Sequence, residues 1–196
     1  FILVTTFVIL WVFILPETKA WDSLYLIKRF RVIFDHSYEP QDVGFQQTRS
    51  IMAIGSGQIF GKGYLQGSMT RSPYESTLPA RDTDFIFAVC GEEFGMVGCL
   101  LLLGLLTLII LRCIWVARTA NSPFYAYVSM GMAGMLIVQI AANVGMCLFL
   151  FPVMGLTLPF ISYGGSSIIT LYTAMGIVSS IRARTLPSWL RDRNQL

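Results

Sequence analysis

The sequence predicts an all-α, polytopic membrane protein with about four transmembrane helices and one long extracytoplasmic loop that contains short helices. Of its 196 residues, 55% are hydrophobic and only 13% are charged, whereas a soluble domain carries roughly 25% charged residues. The mean hydropathy is +0.65. Long apolar runs carry this hydropathy, and they approach the ~20 residues that a helix needs to cross a bilayer. We therefore expect one membrane domain.

Four apolar runs define the predicted spans: 1–15, Phe94–Leu111, Tyr125–Phe151 and about Phe160–Ile181. The first run starts at residue 1 with no Met and no basic segment before it, so it does not resemble a signal peptide. We interpret it as the end of a transmembrane helix in the C-terminal piece of a larger protein. Residues 16–84 form the loop, and residues 85–196 hold three further spans and a tail.

The placement of arginines predicts the orientation. Two of them, Arg112 and Arg118, lie between the second and third spans, and four more follow the last span: Arg182, Arg184, Arg191 and Arg193. The positive-inside rule places these regions in the cytoplasm, together with the C-terminus. The long loop is then extracytoplasmic.

Composition also excludes several classes of function. The formal net charge of +3 is too small to indicate nucleic-acid binding. The cysteines show no C-x-x-C spacing for metal or redox chemistry, and we expect them to be small packing residues: Cys90, Cys99, Cys113 and Cys147.

The stretch "GSGQIFGKG" (residues 55–63) suggests a phosphate-binding loop at first sight. In the P-loop pattern, however, Ser56 stands where the first glycine belongs and Gly63 replaces the magnesium-binding hydroxyl. The dinucleotide pattern fails as well, because Phe60 occupies the third glycine position. The sequence therefore predicts no nucleotide cofactor.

Carboxylates flank the start of the second span in "LPARDTDFIFAVCGEEFG". Asp84 is expected at a helix start, where exposed N–H groups stabilise an anion. Its role is open, because Asp82 or Thr83 can serve as a plain helix cap and Asp84 as a solvated first-turn acid. Glu92 and Glu93 directly precede the apolar run, where a carboxylate is costly unless it is paired or wet.

Prolines and small residues interrupt the last apolar segments in "NVGMCLFLFPVMGLTLPFISYGGSS" (residues 143–167). Irregular backbone at membrane depth is tolerated where it is buried in protein or lines a cavity. Helix packing explains small residues such as those of "SYGGSS" equally well. A polar cavity facing the Asp84 segment is the functional alternative.

Three segments, "AIGSGQIFGKGYLQGS", "LPARDTDFIFAVCGEEFG" and "PVMGLTLPFISYGGSS", resemble in order the C-terminal half of the RodA/FtsW family of shape, elongation, division and sporulation proteins. The resemblance covers nearly the whole chain. It implies a ten-span glycosyltransferase of the bacterial cytoplasmic membrane that polymerises lipid II into β-1,4 glycan strands outside the membrane. It also implies a class B penicillin-binding transpeptidase as partner. The chain would correspond to the last four spans, and we expect it to be inactive alone.

The resemblance places the family's essential acid on Asp84. The family segment is usually LPExHTDF, whereas this chain has Ala80 for the Glu and Asp82 for the His. Two further departures are Arg49, where a Gln before the Ser is usual, and Phe149, where a Gly is usual. None of them replaces the expected catalytic acid.

We also expect the following substrate-binding residues: Gly61, Lys62, Gly63, Ser162, Tyr163, Gly164 and Gly165. Lys62 is a candidate contact for the donor diphosphate, although a lysine that anchors the loop to membrane lipids explains it equally well. One carboxylate suffices as general base for the inverting step, and a divalent cation (Mg²⁺ or Mn²⁺) or a basic residue would offset the charge on the leaving diphosphate. A lipid II flippase and a non-catalytic scaffold remain the rival functions.

Overall fold

The computed structural model describes residues 43–70, 78 and 80–185. This part of the chain is helical, with four helices in order: α1 (Val43–Gly57), α2 (Ile86–Arg118), α3 (Pro123–Cys147) and α4 (Gly165–Thr185). No strand occurs among these residues, so the predicted all-α class is confirmed. The predicted span 1–15, much of the loop and the tail after residue 185 lie outside the described residues.

Helix α2 contains the predicted run Phe94–Leu111 but is much longer than it. Its 33 residues correspond to roughly 50 Å of helix, more than the ~30 Å hydrocarbon core requires. The helix is broken at Gly95, where φ is 67° and ψ is −164°. The segment before Gly95 therefore forms a short, separate helical piece that carries Glu92 and Glu93.

Helices α2 and α3 are both long and apolar enough to cross a membrane. Pro123 begins α3, where its fixed φ suits the first helical turn. Helix α4 has 21 residues but begins at Gly165, later than the predicted start near Phe160. Several hydroxyl residues and two arginines in its last turn make it less apolar, and it is not among the candidate spans within the described residues.

The three long helices pack around a shared apolar core, formed by Cys113, Val116, Ala133, Leu136, Leu171, Val178 and Ile181. A short turn joins α2 to α3, so these helices run antiparallel. Arg182 in the last turn of α4 contacts Trp115 near the end of α2. The ends of α2 and α4 and the start of α3 therefore share one end of the bundle, and the Asp84 segment lies at the other.

Helix α1 packs across that other end through polar side chains. Gln47 Nε2 donates to the carbonyls of Met146 (3.0 Å) and Phe151 (2.7 Å), and Ser50 Oγ donates to the carbonyl of Cys147 at 3.0 Å. Both side chains are buried. The last carbonyls of a helix lack intrahelical partners, so α1 supplies donors to the end of α3.

The glycine-rich stretch that follows α1 is inserted into the break of α2. In an unbroken helix the N–H groups of Met96 and Val97 would donate to the carbonyls of Glu92 and Glu93. Here Lys62 and Gly63 donate to those carbonyls, at 2.9 and 3.0 Å. The freed N–H groups of Met96 and Val97 donate instead to Gln58 (2.9 Å) and Ile59 (3.1 Å).

This exchange of backbone hydrogen bonds explains the glycines. A Cβ on Gly57 would fall on the carbonyl oxygen of Gly91, and a Cβ on Gly61 would fall on that of Glu93. Glycine lets the two backbones approach without this clash. The glycine-rich stretch is therefore a structural segment whose backbone is inserted into the break of α2.

Candidate functional site

Asp84 ends a tight turn that leads directly into α2. The N–H groups of Thr83, Asp84 and Phe85 all donate to the carbonyl of Ala80, at 3.1 to 3.2 Å. Ala80 has a positive φ of 52°, which an alanine adopts only at some cost. The turn thus presents Asp84, half-buried, at the start of α2 as expected.

The helix-cap explanation for the neighbouring residues is wrong. The N-cap position is Phe85, whose side chain has no polar group to offer. Thr83 Oγ1 donates to the carbonyl of Ala80 at 3.3 Å. Asp82 points outward and lies 3.9 Å from Arg81 Nε. Neither Asp82 nor Thr83 occupies the capping position, so neither residue caps α2.

Asn143 of α3 connects this turn to the irregular segment between α3 and α4. Its amide Nδ2 donates to the carbonyl of Asp84 at 2.9 Å and to that of Leu156 at 2.6 Å. Asn143 has no exposed surface. One buried side chain therefore joins two backbone carbonyls from separate segments, and Cys147 Sγ also donates to the carbonyl of Asp84, at 3.9 Å.

Ser162 and Tyr163 hold the same turn from its other side. Ser162 Oγ donates to the carbonyl of Thr83 at 2.6 Å and accepts from the N–H of Leu158 at 2.7 Å. The N–H of Tyr163 donates to the carbonyl of Asp82 at 2.8 Å. The "SYGG" motif is thereby bound to the segment that carries Asp84, while the Tyr163 side chain remains 77% exposed.

The carboxylate of Asp84 lies beside Gly155. This glycine has φ 67°, and a Cβ built on it would lie 3.7 Å from Asp84 Oδ2. Gly164 and Gly165 follow at the start of α4, where the carbonyl of Gly164 accepts from Ser167 Oγ at 3.0 Å. Asp84, Ser162 and Tyr163 are therefore brought together, with the two glycines next to them in the chain.

Lys62 and its glycines belong to a second cluster, centred on Glu92. One oxygen of Glu92 accepts from Lys62 Nζ at 2.8 Å, Ser68 Oγ at 3.2 Å and the N–H of Met69 at 3.0 Å. The other accepts from the N–H of Thr70 at 2.8 Å. Glu92 has no exposed surface, so the expectation that it is paired is confirmed.

The two clusters lie along the same piece of α2. Ile86, at the Asp84 turn, is separated from Glu92 by about 9 Å of helical rise. Arg81 links them, because its Nη1 donates to the carbonyl of Thr70 at 2.6 Å. The substrate roles of Lys62, Gly61 and Gly63 stay predictions.

A largely apolar groove of about 460 Å³ runs along α2. One wall consists of α2 residues from Cys90 to Ile109, and the other is formed by Phe160 and Ile161. These two residues directly precede Ser162. The groove therefore leads from the apolar flank of the bundle to the segment that holds the Asp84 turn.

Comparison with known proteins gives the family. A family model described as "Cell cycle protein", of the FtsW, RodA and SpoVE group, matches residues 1–186. The chain belongs to the FtsW/RodA/SpoVE family. The matched residues include both the Asp84 turn and the Glu92 cluster.

Individual FtsW/RodA/SpoVE relatives agree with this. The chain is 40% identical over 181 residues to the "Peptidoglycan glycosyltransferase MrdB" of Escherichia coli K12, covering 92% of this chain and 46% of the relative. It is 42% identical over 167 residues to the "Probable peptidoglycan glycosyltransferase FtsW" of Thiomicrospira cyclica, covering 84% and 42%. The chain thus spans a little under half the length of these curated relatives.

A solved structure has the same fold. It is described as "Structural coordination of polymerization and crosslinking by a peptidoglycan synthase complex", and it matches with a TM-score of 0.65 and 30% identity. The match covers 95% of this chain and 49% of that chain. With its apolar helices, the FtsW/RodA/SpoVE chain is a membrane protein of the bacterial envelope.

One departure from the family pattern has a structural explanation. Phe149, where the resemblance led us to expect Gly, adopts φ 65°, a left-handed conformation that glycine enters without cost. The phenyl ring is 8% exposed, so its burial offsets the backbone strain. Arg49, another departure, places its guanidinium 5.1 Å from the Phe45 ring.

Sequence reasoning missed the roles of Asn143 and Gln47. Both were visible only as polar residues near or within apolar segments. An asparagine at membrane depth is expected to face protein and to find partners, and this signal marks Asn143. Nothing in the sequence indicates that its partner is the carbonyl of Asp84, 59 residues away.

Proposed function

We propose that this chain forms the catalytic end of a peptidoglycan glycosyltransferase that polymerises lipid II into β-1,4 glycan strands. The observation that carries the proposal is the support of the Asp84 turn by Asn143 on one side and by Ser162 on the other. Both bonds go to the backbone of the turn, and the Asp84 carboxylate lies beside Gly155. A fixed backbone with a half-buried carboxylate is suited to a general base.

The reaction balances with one carboxylate. The sugar 4-hydroxyl of an incoming lipid II attacks the anomeric carbon of the growing chain, while Asp84 accepts the hydroxyl proton. A new C–O bond forms as the bond to the diphosphate breaks, and the diphosphate leaves with the electron pair. Attack from the face opposite the leaving group inverts an α linkage into a β linkage.

Charge on the departing diphosphate needs a cation. Lys62 is the candidate on this chain, and its ammonium is already bonded to Glu92 and Ser68 in the absence of substrate. Among the described residues, no group of three or more His, Cys, Asp or Glu side chains is placed to hold a metal ion. A divalent cation therefore remains a proposal in which the diphosphate supplies most of the ligands.

The apolar groove along α2 suits the polyprenyl tail of the substrate. It is lined by leucines and glycine and ends at Phe160 and Ile161, next to Ser162. A tail lying there would bring the diphosphate toward the Asp84 end of the bundle. We also propose that the active end faces outward, with the C-terminus in the cytoplasm.

A class B penicillin-binding transpeptidase is the proposed protein partner. The support is the description of the similar structure, which concerns a peptidoglycan synthase complex that couples polymerization and crosslinking. Membrane lipids would surround the remaining surface.

Reconstitution of the purified full-length protein with labelled lipid II tests the proposal. Glycan polymer is the expected product. Translocation of lipid II without polymer would identify a flippase instead, and binding of the transpeptidase with neither activity would identify a scaffold. Expressing residues 1–196 alone is expected to give no polymer.

A further inference from the structure

Two arginines from different helices contact the same tryptophan at the end of the bundle opposite Asp84. The Cζ atom of Arg112 lies 4.4 Å from the centroid of the Trp115 ring, and that of Arg182 lies 4.2 Å from it. Arg112 and Trp115 belong to the end of α2, and Arg182 belongs to the last turn of α4. One indole ring therefore contacts guanidinium groups from two helices.

These two charges have no carboxylate partner within residues 43–70, 78 and 80–185. The ion pairs seen in that part of the chain are Lys62 with Glu92 and Arg81 with Asp82, both toward the Asp84 end. Contact with one ring keeps the two Cζ atoms within about 9 Å of each other, so their charges repel. Cation–π contact with the indole offsets part of this repulsion, and an anion bound to the pair would reduce it further.

The arginine pair lies at the end of an exposed apolar surface, where the headgroup of a membrane lipid would lie. On α2, Leu108 and Leu111 precede the pair and are 62% and 54% exposed. The spacing of four residues places Leu108 below Arg112 and Leu111 below Trp115 on the helix surface. Apolar surface thus ends where the guanidinium groups begin, and tryptophan is enriched at this depth of a membrane.

We propose that Arg112 and Arg182, aligned by Trp115, bind the phosphate of an anionic phospholipid such as phosphatidylglycerol. Guanidinium groups donate paired N–H bonds to phosphate oxygens. The acyl chains would lie on Leu108 and Leu111, which selects a lipid over free phosphate.

Native mass spectrometry of the full-length protein from mixed micelles of phosphatidylglycerol and phosphatidylcholine tests this site. The test variant is R112Q/R182Q. The control is R118Q/R184Q, which removes the same charge from exposed positions at the same ends of α2 and α4. We expect the test variant to weaken retention of phosphatidylglycerol about tenfold more than the control. Equal weakening in both, or none in either, would overturn the proposal.

Three further measurements identify the occupant and separate binding from folding. R112K/R182K keeps the charge but loses the paired N–H geometry, and it should lose most of the retention; full retention contradicts the proposed geometry. Inorganic phosphate should not displace the lipid, and displacement would indicate a site for a free anion. If removal of residues 186–196 creates lipid binding that the intact chain lacks, the tail is the occupant and the proposal is wrong.

Discussion

Lys62 Nζ lies 2.8 Å from Oε1 of Glu92, a carboxylate with no exposed surface. The Lys62 side chain is 30% exposed, so the pair joins the protein surface to the buried start of α2. The N–H groups of Met69 and Thr70 bind the same carboxylate. Glu92 therefore holds the segment from Lys62 to Thr70 against α2. Lys62, which belongs to the proposed substrate site, thus also has a structural role.

Replacing Glu92 should destabilise the protein strongly. Glu92→Gln keeps the shape of the side chain but removes the negative charge to which the lysine and two backbone N–H groups donate. The NH2 group of the new amide is itself a donor and would face these other donors. Each buried donor or acceptor that is left unsatisfied costs about 1–3 kcal/mol, measured as the free energy of unfolding in detergent. Lys62→Met should cost less, because Glu92 keeps its backbone donors. An equal loss for both variants contradicts this assignment.

Lys62→Met also tests the proposed contact with the diphosphate. If Lys62 helps to bind substrate, the variant should raise the concentration of lipid II needed for half-maximal polymerisation while the chemistry persists. Ser68→Ala is the matched control, because it removes the other partner of the ammonium and leaves the charge. Unchanged kinetics for Lys62→Met would leave the lysine with its structural role alone.

Asp84→Asn should abolish most polymerisation without unfolding the protein. Asparagine has the same size but cannot accept the proton, and loss of a general base costs on the order of 10²–10⁴ in rate. Binding of the transpeptidase should persist. Asp82→Asn is the control, since Asp82 is exposed beside Arg81, and its maximal rate should change little. Wild-type activity of Asp84→Asn together with an inactive Asp82→Asn would move the base to Asp82.

Gly95→Ala should disrupt the insertion of the glycine-rich stretch into α2. Gly95 has φ 67°, and a Cβ there would fall on the backbone of Ile59 and Gly61. With ψ at −164° this backbone conformation is essentially restricted to glycine and costs another residue about 1–3 kcal/mol, and the clash adds to it. Gly104→Ala, on the same helix with no atom within 4 Å of its added Cβ, should be neutral. Thermal unfolding of the two variants makes the comparison, and a stable Gly95→Ala would rule out the close approach.

Asn143→Leu should lower activity and stability together. It leaves the carbonyls of Asp84 and Leu156 without their amide donor, and each unsatisfied buried group costs about 1–3 kcal/mol. Gln139→Leu is the control one turn earlier on α3, because Gln139 Oε1 is buried without a hydrogen bond in the described structure. Its replacement should be neutral or stabilising. Equal effects on the polymerisation rate would mean that Asn143 does not support the Asp84 turn.

The sequence was sufficient for the elements whose cause is local. Uninterrupted apolar residues predicted α2 and α3, since a helix in lipid satisfies its own backbone and needs no partner to be recognised. The break in α2 also has a local cause, because glycine at position 95 adopts a positive φ at little cost. The position of Asp84 before α2 followed from the same local pattern.

Tertiary structure decided which residues meet. Asn143, Ser162 and Asp84 are joined through backbone carbonyls, and every residue carries a carbonyl, so no sequence pattern marks the one that is bound. The pairing of Lys62 with Glu92 and the exchange of hydrogen bonds at Gly95 depend on contacts between segments about 30 residues apart. By itself the sequence determined the helices and the candidate base, whereas the supports of that base arose only where long-range packing left buried polar groups to be satisfied.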